Sequence, residues 1–222
     1  MTDHLTDKFT SLREPGSAIT HLIAAVLTAV AACPLLLKAL KEDRVTFYSM
    51  LVFIVSMLML YTASTVFHAV NSDEKTISVF RKIDHSCVFV LIAGTYTPLS
   101  LLVLPPESGR PLLTAVWSVA LCGIFLKLFW VNSPKWLTAT IYIIFGWFVL
   151  GVYDVLLVLL SRPALWLFFG GGVIYTLGGI LYSLRTDAFD TKHPLFDAHA
   201  VFHLFVMAGS LCHFIFMFRY VL

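Results

Sequence analysis

Charge is scarce in this chain. Asp, Glu, Lys and Arg together make up 13% of its 222 residues, against about 25% in an ordinary soluble domain. That is too little to cover a water-facing surface, and it excludes a disordered tail as well. The net charge of +2 is too mild to imply a polyanionic partner such as nucleic acid. There are only four cysteines, Cys33, Cys87, Cys122 and Cys212, each inside an apolar stretch and none in a CxxC pair. A secreted disulfide scaffold is therefore excluded, and the four read as small buried hydrophobes. No P-loop, GxSxG or HExxH motif, internal repeat or low-complexity tract is present.

What is abundant is apolar sequence, at 59% of residues. A bilayer core needs about 20 mostly apolar residues per helix. Seven segments meet that test: Ala18–Leu40, Val45–Val70, Ile83–Leu104, Leu112–Val131, Leu137–Leu160, Pro163–Leu184 and Leu195–Phe218. The breaks between them (KEDR, NSDEKT, PPESGRP, NSPK, SRP and RTDAFDTKHP) carry turn and charge signals. Asp154 interrupts the end of the fifth segment. The polar opening, residues 1–17, has no cleavage signal after it, so the first apolar run is expected to remain as a span. The expectation is an all-α, seven-transmembrane helix bundle: a short N-terminal segment, 1–17, and one membrane domain, 18–222. Nine Lys/Arg residues fall on the N-terminal side of such a bundle and six on the other. This bias predicts a cytoplasmic N-terminus and an outside C-terminus, in a multi-pass protein of the plasma membrane.

Ionisable groups inside a span are costly unless paired, solvated or bound, so they are the informative residues. The second segment ends with Ser64 and His68, the third begins with Asp84 and His85, and the seventh begins with His199 and His203. Residues four apart share a helix face. The expected topology brings all three groups to one depth on the cytoplasmic side. Three imidazoles and a carboxylate there suit a divalent metal, and neutral nitrogen ligands favour Zn²⁺. Three protein ligands leave a fourth position for water, the pattern of a catalytic site.

Each feature also has a plainer account. His68 can be an interfacial histidine, Asp84 can cap the third helix, and Ser64 can bond back to a backbone carbonyl. Spacing and topology alone leave both accounts open. Glu14 and His21 flank the first span at the same end, as a second shell around the metal or simply as a helix start. His213 lies ten residues beyond His203, about 15 Å deeper, and is expected to bond across helices. Lys127 is expected to snorkel, Asp154 to face a wet crevice, and Gly170, Gly171, Gly172, Gly178 and Gly179 to serve helix packing.

Several of these residues also make a recognisable order. Glu14 and His21 (E-x6-H), Ser64–His68 (SxxxH), the block DHSCVFVLIAGTYTP from Asp84 to Pro98, and His199–His203 (HxxxH) span nearly the whole chain. This order resembles the bacterial hemolysin III family, grouped with the progestin and adipoQ receptors. The resemblance implies a seven-helix fold and a zinc site near the inner face, with His68, His199 and His203 as ligands. Asp84 and Ser64 would lie beside the metal. The family usually has Asn three residues after the first Glu, where this chain has Ser17.

Two classes of function follow as expectations. One is a zinc-dependent hydrolase of lipid amides or esters, ceramidase-like in arrangement, with Asp84 as general base and Ser64 orienting water or an oxyanion. The other is a non-enzymatic sensor or regulator of membrane lipid, with zinc as a clamp between helices. A cytolysin or channel role is what the family name carries, and no feature of the residues points to it. A membrane lipid is the expected substrate or ligand.

Overall fold

A computed structural model describes residues 12–184 and 196–222. The RTDAFDTKHP connection and most of the 1–17 segment lie outside the described residues. Helix α1 runs Pro15–Ala39, α2 Arg44–Ala69, α3 Glu74–Pro98 and α4 Pro106–Phe129. Helix α5 runs Lys135–Gly146, α6 Tyr153–Leu159, α7 Arg162–Ser183 and α8 Ala198–Phe216. No strand occurs among the described residues. With α5 and α6 joined into one span, seven helical segments are long and apolar enough to cross a membrane.

The helix starts follow local chemistry. Asp43 caps α2 through bonds from the Val45 and Thr46 amides, and Asp73 caps α3 through the Thr76 amide. Asp197 caps α8 through the Ala200 amide. The amide and hydroxyl of Thr76 hold the Asp73 carboxyl below its usual range. Pro15 and Pro106 begin α1 and α4, where a missing amide proton costs nothing.

Helix α3 begins at Glu74, nine residues before the apolar run that marks its span. This corrects the expectation of a start at Ile83 and removes the account of Asp84 as a cap, since Asp84 lies three turns into the helix. Helix α4 likewise begins at Pro106 rather than Leu112. The fifth span is broken, but not at Asp154. A 3₁₀ stretch, Phe148–Val152, follows Gly146. The buried Tyr96 hydroxyl fills that break, donating to the Gly146 carbonyl (2.7 Å) and accepting from the Val149 amide (2.8 Å). A side chain of α3 thus satisfies backbone groups that the broken helix frees, as a span in lipid requires.

Helices α1, α2, α3 and α4 pack in sequence, while α8 packs on both α7 and α1 and α7 packs on α5. The ring leaves α3 deeply buried and a partly open cavity between it and α5, α7 and α8, with His21 of α1 and Leu60 and Ser64 of α2 also in its wall. The outer faces carry exposed apolar residues such as Val30, Phe125, Val158 and Trp166. In a membrane protein these face hydrocarbon. The same inversion corrects the cysteine reading: Cys87 is buried, but Cys33 and Cys122 are exposed on those outer faces.

Candidate metal centre and cavity

The ends of α2 and α8 bring three imidazoles together. His68 Nε2 lies 3.2 Å from His199 Nε2, which lies 3.1 Å from His203 Nε2. One ligand atom from each of the three falls within 4.8 Å of the others. His68 and His203 are buried, at 1% and 2% exposure.

The outer nitrogens decide what the inner ones can do. His68 Nδ1 pairs with Glu14 Oε2, so it carries the proton and donates to the carboxylate. His203 Nδ1 lies 3.2 Å from the Ser17 carbonyl and 3.2 Å from Thr20 Oγ1. The Thr20 hydroxyl proton is committed to the Gly16 and Ser17 carbonyls, so His203 Nδ1 also donates. In the neutral rings both Nε2 atoms are therefore unprotonated, and both point at His199 Nε2. A single proton on His199 can satisfy only one of them. Converging lone pairs at 3.1–3.2 Å are repulsive without a cation between them, and tetrahedral metal–nitrogen bonds of about 2.0–2.1 Å set nitrogens at about this spacing. The donor set fits a divalent ion such as Zn²⁺.

The supporting shell was only partly visible in the sequence. His21 stacks on His203 at 3.5 Å between ring centroids, nearly parallel, and meets Tyr61 edge-on at 5.0 Å. Neither His21 nitrogen has a hydrogen-bond partner among the described residues. Ser17 acts through its backbone, for its buried hydroxyl has no partner among the described residues. The departure from Asn at this position leaves the bond to His203 intact. Tyr61 donates to Ser210 Oγ at 2.6 Å, and Tyr175 meets the same oxygen at 2.7 Å. The signal for Tyr61 was its spacing: residues 61, 64 and 68 share one face of α2.

Ser64 and Asp84 come to the same place. Both line a cavity of about 160 Å³ together with His21, His85, His199 and His203. Ser64 Oγ is buried without a hydrogen-bond partner among the described residues, and no bond runs from it to its own helix's backbone, which removes its account as a back-bonded serine. Asp84 Oδ2 lies 3.4 Å from His85 Nδ1 and does not belong to the metal-ligating set. The cavity continues between mostly apolar walls to Trp147, Phe168 and His213. His213 Nε2 donates to the Phe168 carbonyl at 3.0 Å, the cross-helix bond expected of it.

Of the remaining candidates, Asp154 is exposed near the C-terminal end of the fifth span, beside Val103 and Pro105. Gly171, Gly178 and Gly179 are close-packing positions, but a Cβ at Gly170 would meet nothing within 4 Å among the described residues and one at Gly172 only Trp147 at 3.7 Å. Lys127 does not snorkel. It is buried at 1% exposure and donates to Ser133 Oγ and Thr138 Oγ1, each at 2.7 Å.

Comparison with known proteins agrees with this architecture. The family model described as "Haemolysin-III related" matches residues 9–214. This chain belongs to the haemolysin III family. The family lies within the progestin and adipoQ receptor superfamily. The chain is 37% identical to the "Hemolysin-3 homolog" of Bacillus subtilis (strain 168) over 203 residues, 91% of each protein. It is 34% identical to "Hemolysin-3" of Bacillus cereus over 224 residues, 98% of each. As a haemolysin III family member with seven membrane-spanning helices, it is a multi-pass bacterial membrane protein.

Proposed function

We propose that this protein is a zinc-dependent hydrolase of lipid amides or esters, working inside the membrane. One observation carries the reading: His199 and His203 of the triple-histidine cluster, Ser64 with no hydrogen-bond partner among the described residues, and the Asp84 carboxylate line one apolar cavity. His68, His199 and His203 would hold the ion. When bound, it supplies Lewis-acid chemistry, polarising a carbonyl and acidifying water.

The chain's own residues do the rest. Glu14 and the Ser17 carbonyl fix the tautomers of His68 and His203. Asp84, the catalytic carboxylate, accepts the proton lost from the attacking water and returns it to the leaving amine or alcohol. Ser64, with its hydroxyl uncommitted, donates a hydrogen bond to the reacting oxygen. The apolar walls from Val88 to Phe168 take the acyl chain and exclude bulk water. With the N-terminus cytoplasmic, as the Lys/Arg bias favours, this end of the bundle would meet the inner leaflet.

The test is hydrolysis of a panel of ceramides and other N-acyl and O-acyl lipids by purified protein in vesicles. Activity is expected in the wild type, with losses of about 10²-fold or more in Asp84→Asn and complete loss in His203→Ala. Equal turnover by wild type and both variants overturns the mechanism.

A second reading draws on the placement of the ligands on two helices, with Glu14 reaching in from the start of a third. There the metal is a clamp in a lipid sensor. It predicts a large loss of thermal stability on chelation and no lipid turnover at any pH.

A further inference from the structure

Lys127 is a cation that the bundle buries with no counter-ion among the described residues. It lies in the last turn of α4 at 1% exposure, and no carboxylate of the described residues lies within 4.0 Å of it. Its hydrogen bonds go to two neutral hydroxyls, Ser133 and Thr138, which lie 2.9 Å from each other. An ammonium has three donors, so one N–H has no acceptor among the described residues. The C-terminal end of α4 offers partial negative charge, but a desolvated ammonium needs a full charge or a close network of acceptors. Thr138 connects this cluster to the cavity, since it lines the wall beside Tyr142. Thr138 is the member of the cluster that lines the chamber, and with Ser133 donating to Thr138 Oγ1 the Thr138 hydroxyl proton, polarised by Lys127, is left to donate to a ligand there.

We infer that Lys127, Ser133 and Thr138 form an anion site that seats the carboxylate or phosphate group of an amphiphile whose tail lies in the cavity. Asp84 shares the chamber and repels anions, so the seat is the Thr138 wall and not the space beside the histidines. The inference rests on the proposed function only in sharing its cavity. It requires no metal and no turnover.

Because of that independence, the test uses chelator-stripped full-length protein in a neutral maltoside detergent. Thermal-shift titrations compare dodecanoate, dodecyl phosphate, dodecanol and inorganic phosphate. Charge-assisted hydrogen bonds predict that at least one anionic amphiphile binds about 10- to 100-fold more tightly than dodecanol. The tighter of the two identifies the headgroup. Inorganic phosphate stabilising as well as dodecyl phosphate, with the same dependence on Lys127, makes the anion a free one and overturns the amphiphile. Lys127→Met is expected to bring the anions to within about twofold of dodecanol while leaving dodecanol unchanged. Thr138→Val keeps the cation and is expected to lose part of the preference, so it carries the comparison if Lys127→Met fails to fold. Equal binding of the alcohol and both anions by wild type overturns the site, as does a preference that survives both substitutions. Failure of lipid hydrolysis alone leaves these titrations unaffected, so the two readings fail separately.

Discussion

Glu14, the residue before α1, pairs with Nδ1 of His68 in the last turn of α2. Its backbone amide also donates to the His68 carbonyl at 3.0 Å. Arg13 reinforces the contact, donating to the Phe67 carbonyl at 2.6 Å and lying over the Phe67 ring. The start of the first helix thereby satisfies the end of the second and fixes one imidazole. Carboxylates in this relation to ligating histidines raise ligand basicity and hold the ring orientation.

Replacing Glu14 is therefore expected to weaken metal binding without dismantling the fold. Glu14→Ala should hold zinc about 10- to 100-fold less tightly, with Glu14→Gln in between because an amide oxygen still accepts the Nδ1 proton. Competition with a calibrated chelator measures this. Unchanged affinity in Glu14→Ala would show that the pairing is incidental.

Tyr96 makes a second prediction, on stability. Tyr96→Phe leaves the Val149 amide without its acceptor inside the bundle, a loss of about 1–3 kcal/mol. A fall of several degrees in the detergent melting temperature is the expected result, with metal content unchanged. A melting curve that overlays the wild type rules out a structural role for this hydroxyl.

Two adjacent glycines on α7 should behave in opposite ways. A Cβ at Gly171 would approach His213 Nε2 to 2.7 Å and the Gly209 carbonyl oxygen to 3.1 Å, whereas one at Gly170 meets nothing within 4 Å. His213 is held by its bond to Phe168 and cannot yield cheaply. Gly171→Ala should cost about 1–3 kcal/mol, while Gly170→Ala should be neutral or stabilising by up to about 1 kcal/mol. Comparing the two melting temperatures checks the α7–α8 packing, and equal shifts would contradict it.

Orientation is tested separately. A reporter enzyme that folds only outside the cytoplasm, fused after Leu222, should be active, and one that works only in the cytoplasm should be silent. The reverse pattern would place the histidine end at the outer leaflet.

Much of this was legible in the sequence, for definite reasons. The seven spans follow from apolar run length, and the pairs Ser64–His68 and His199–His203 follow from helical spacing. What escaped was whatever depends on neighbours distant in sequence or on polar sequence that is still helical. The first turns of α3 carry Glu74, Lys75, Arg81 and Lys82, so the apolar window begins nine residues late. Asp73 with Thr76 three residues on was the available start signal. Lys127 resembled a snorkelling residue because Ser133 and Thr138, its partners, lie across the turn into α5. Asp154 was the visible interruption of the fifth segment, whereas the helix breaks after Gly146, where a tyrosine fifty residues away satisfies the freed backbone. Cys33 and Cys122 were read by the rule for soluble cores, which a lipid-facing surface inverts.

The central claim is that His68, His199 and His203 hold a metal ion, and its most direct test is elemental analysis of detergent-purified protein, wild type beside His199→Ala. About one zinc per chain in the wild type, lost in the variant, is the predicted result. No metal in either sample, even after zinc is supplied, would contradict it.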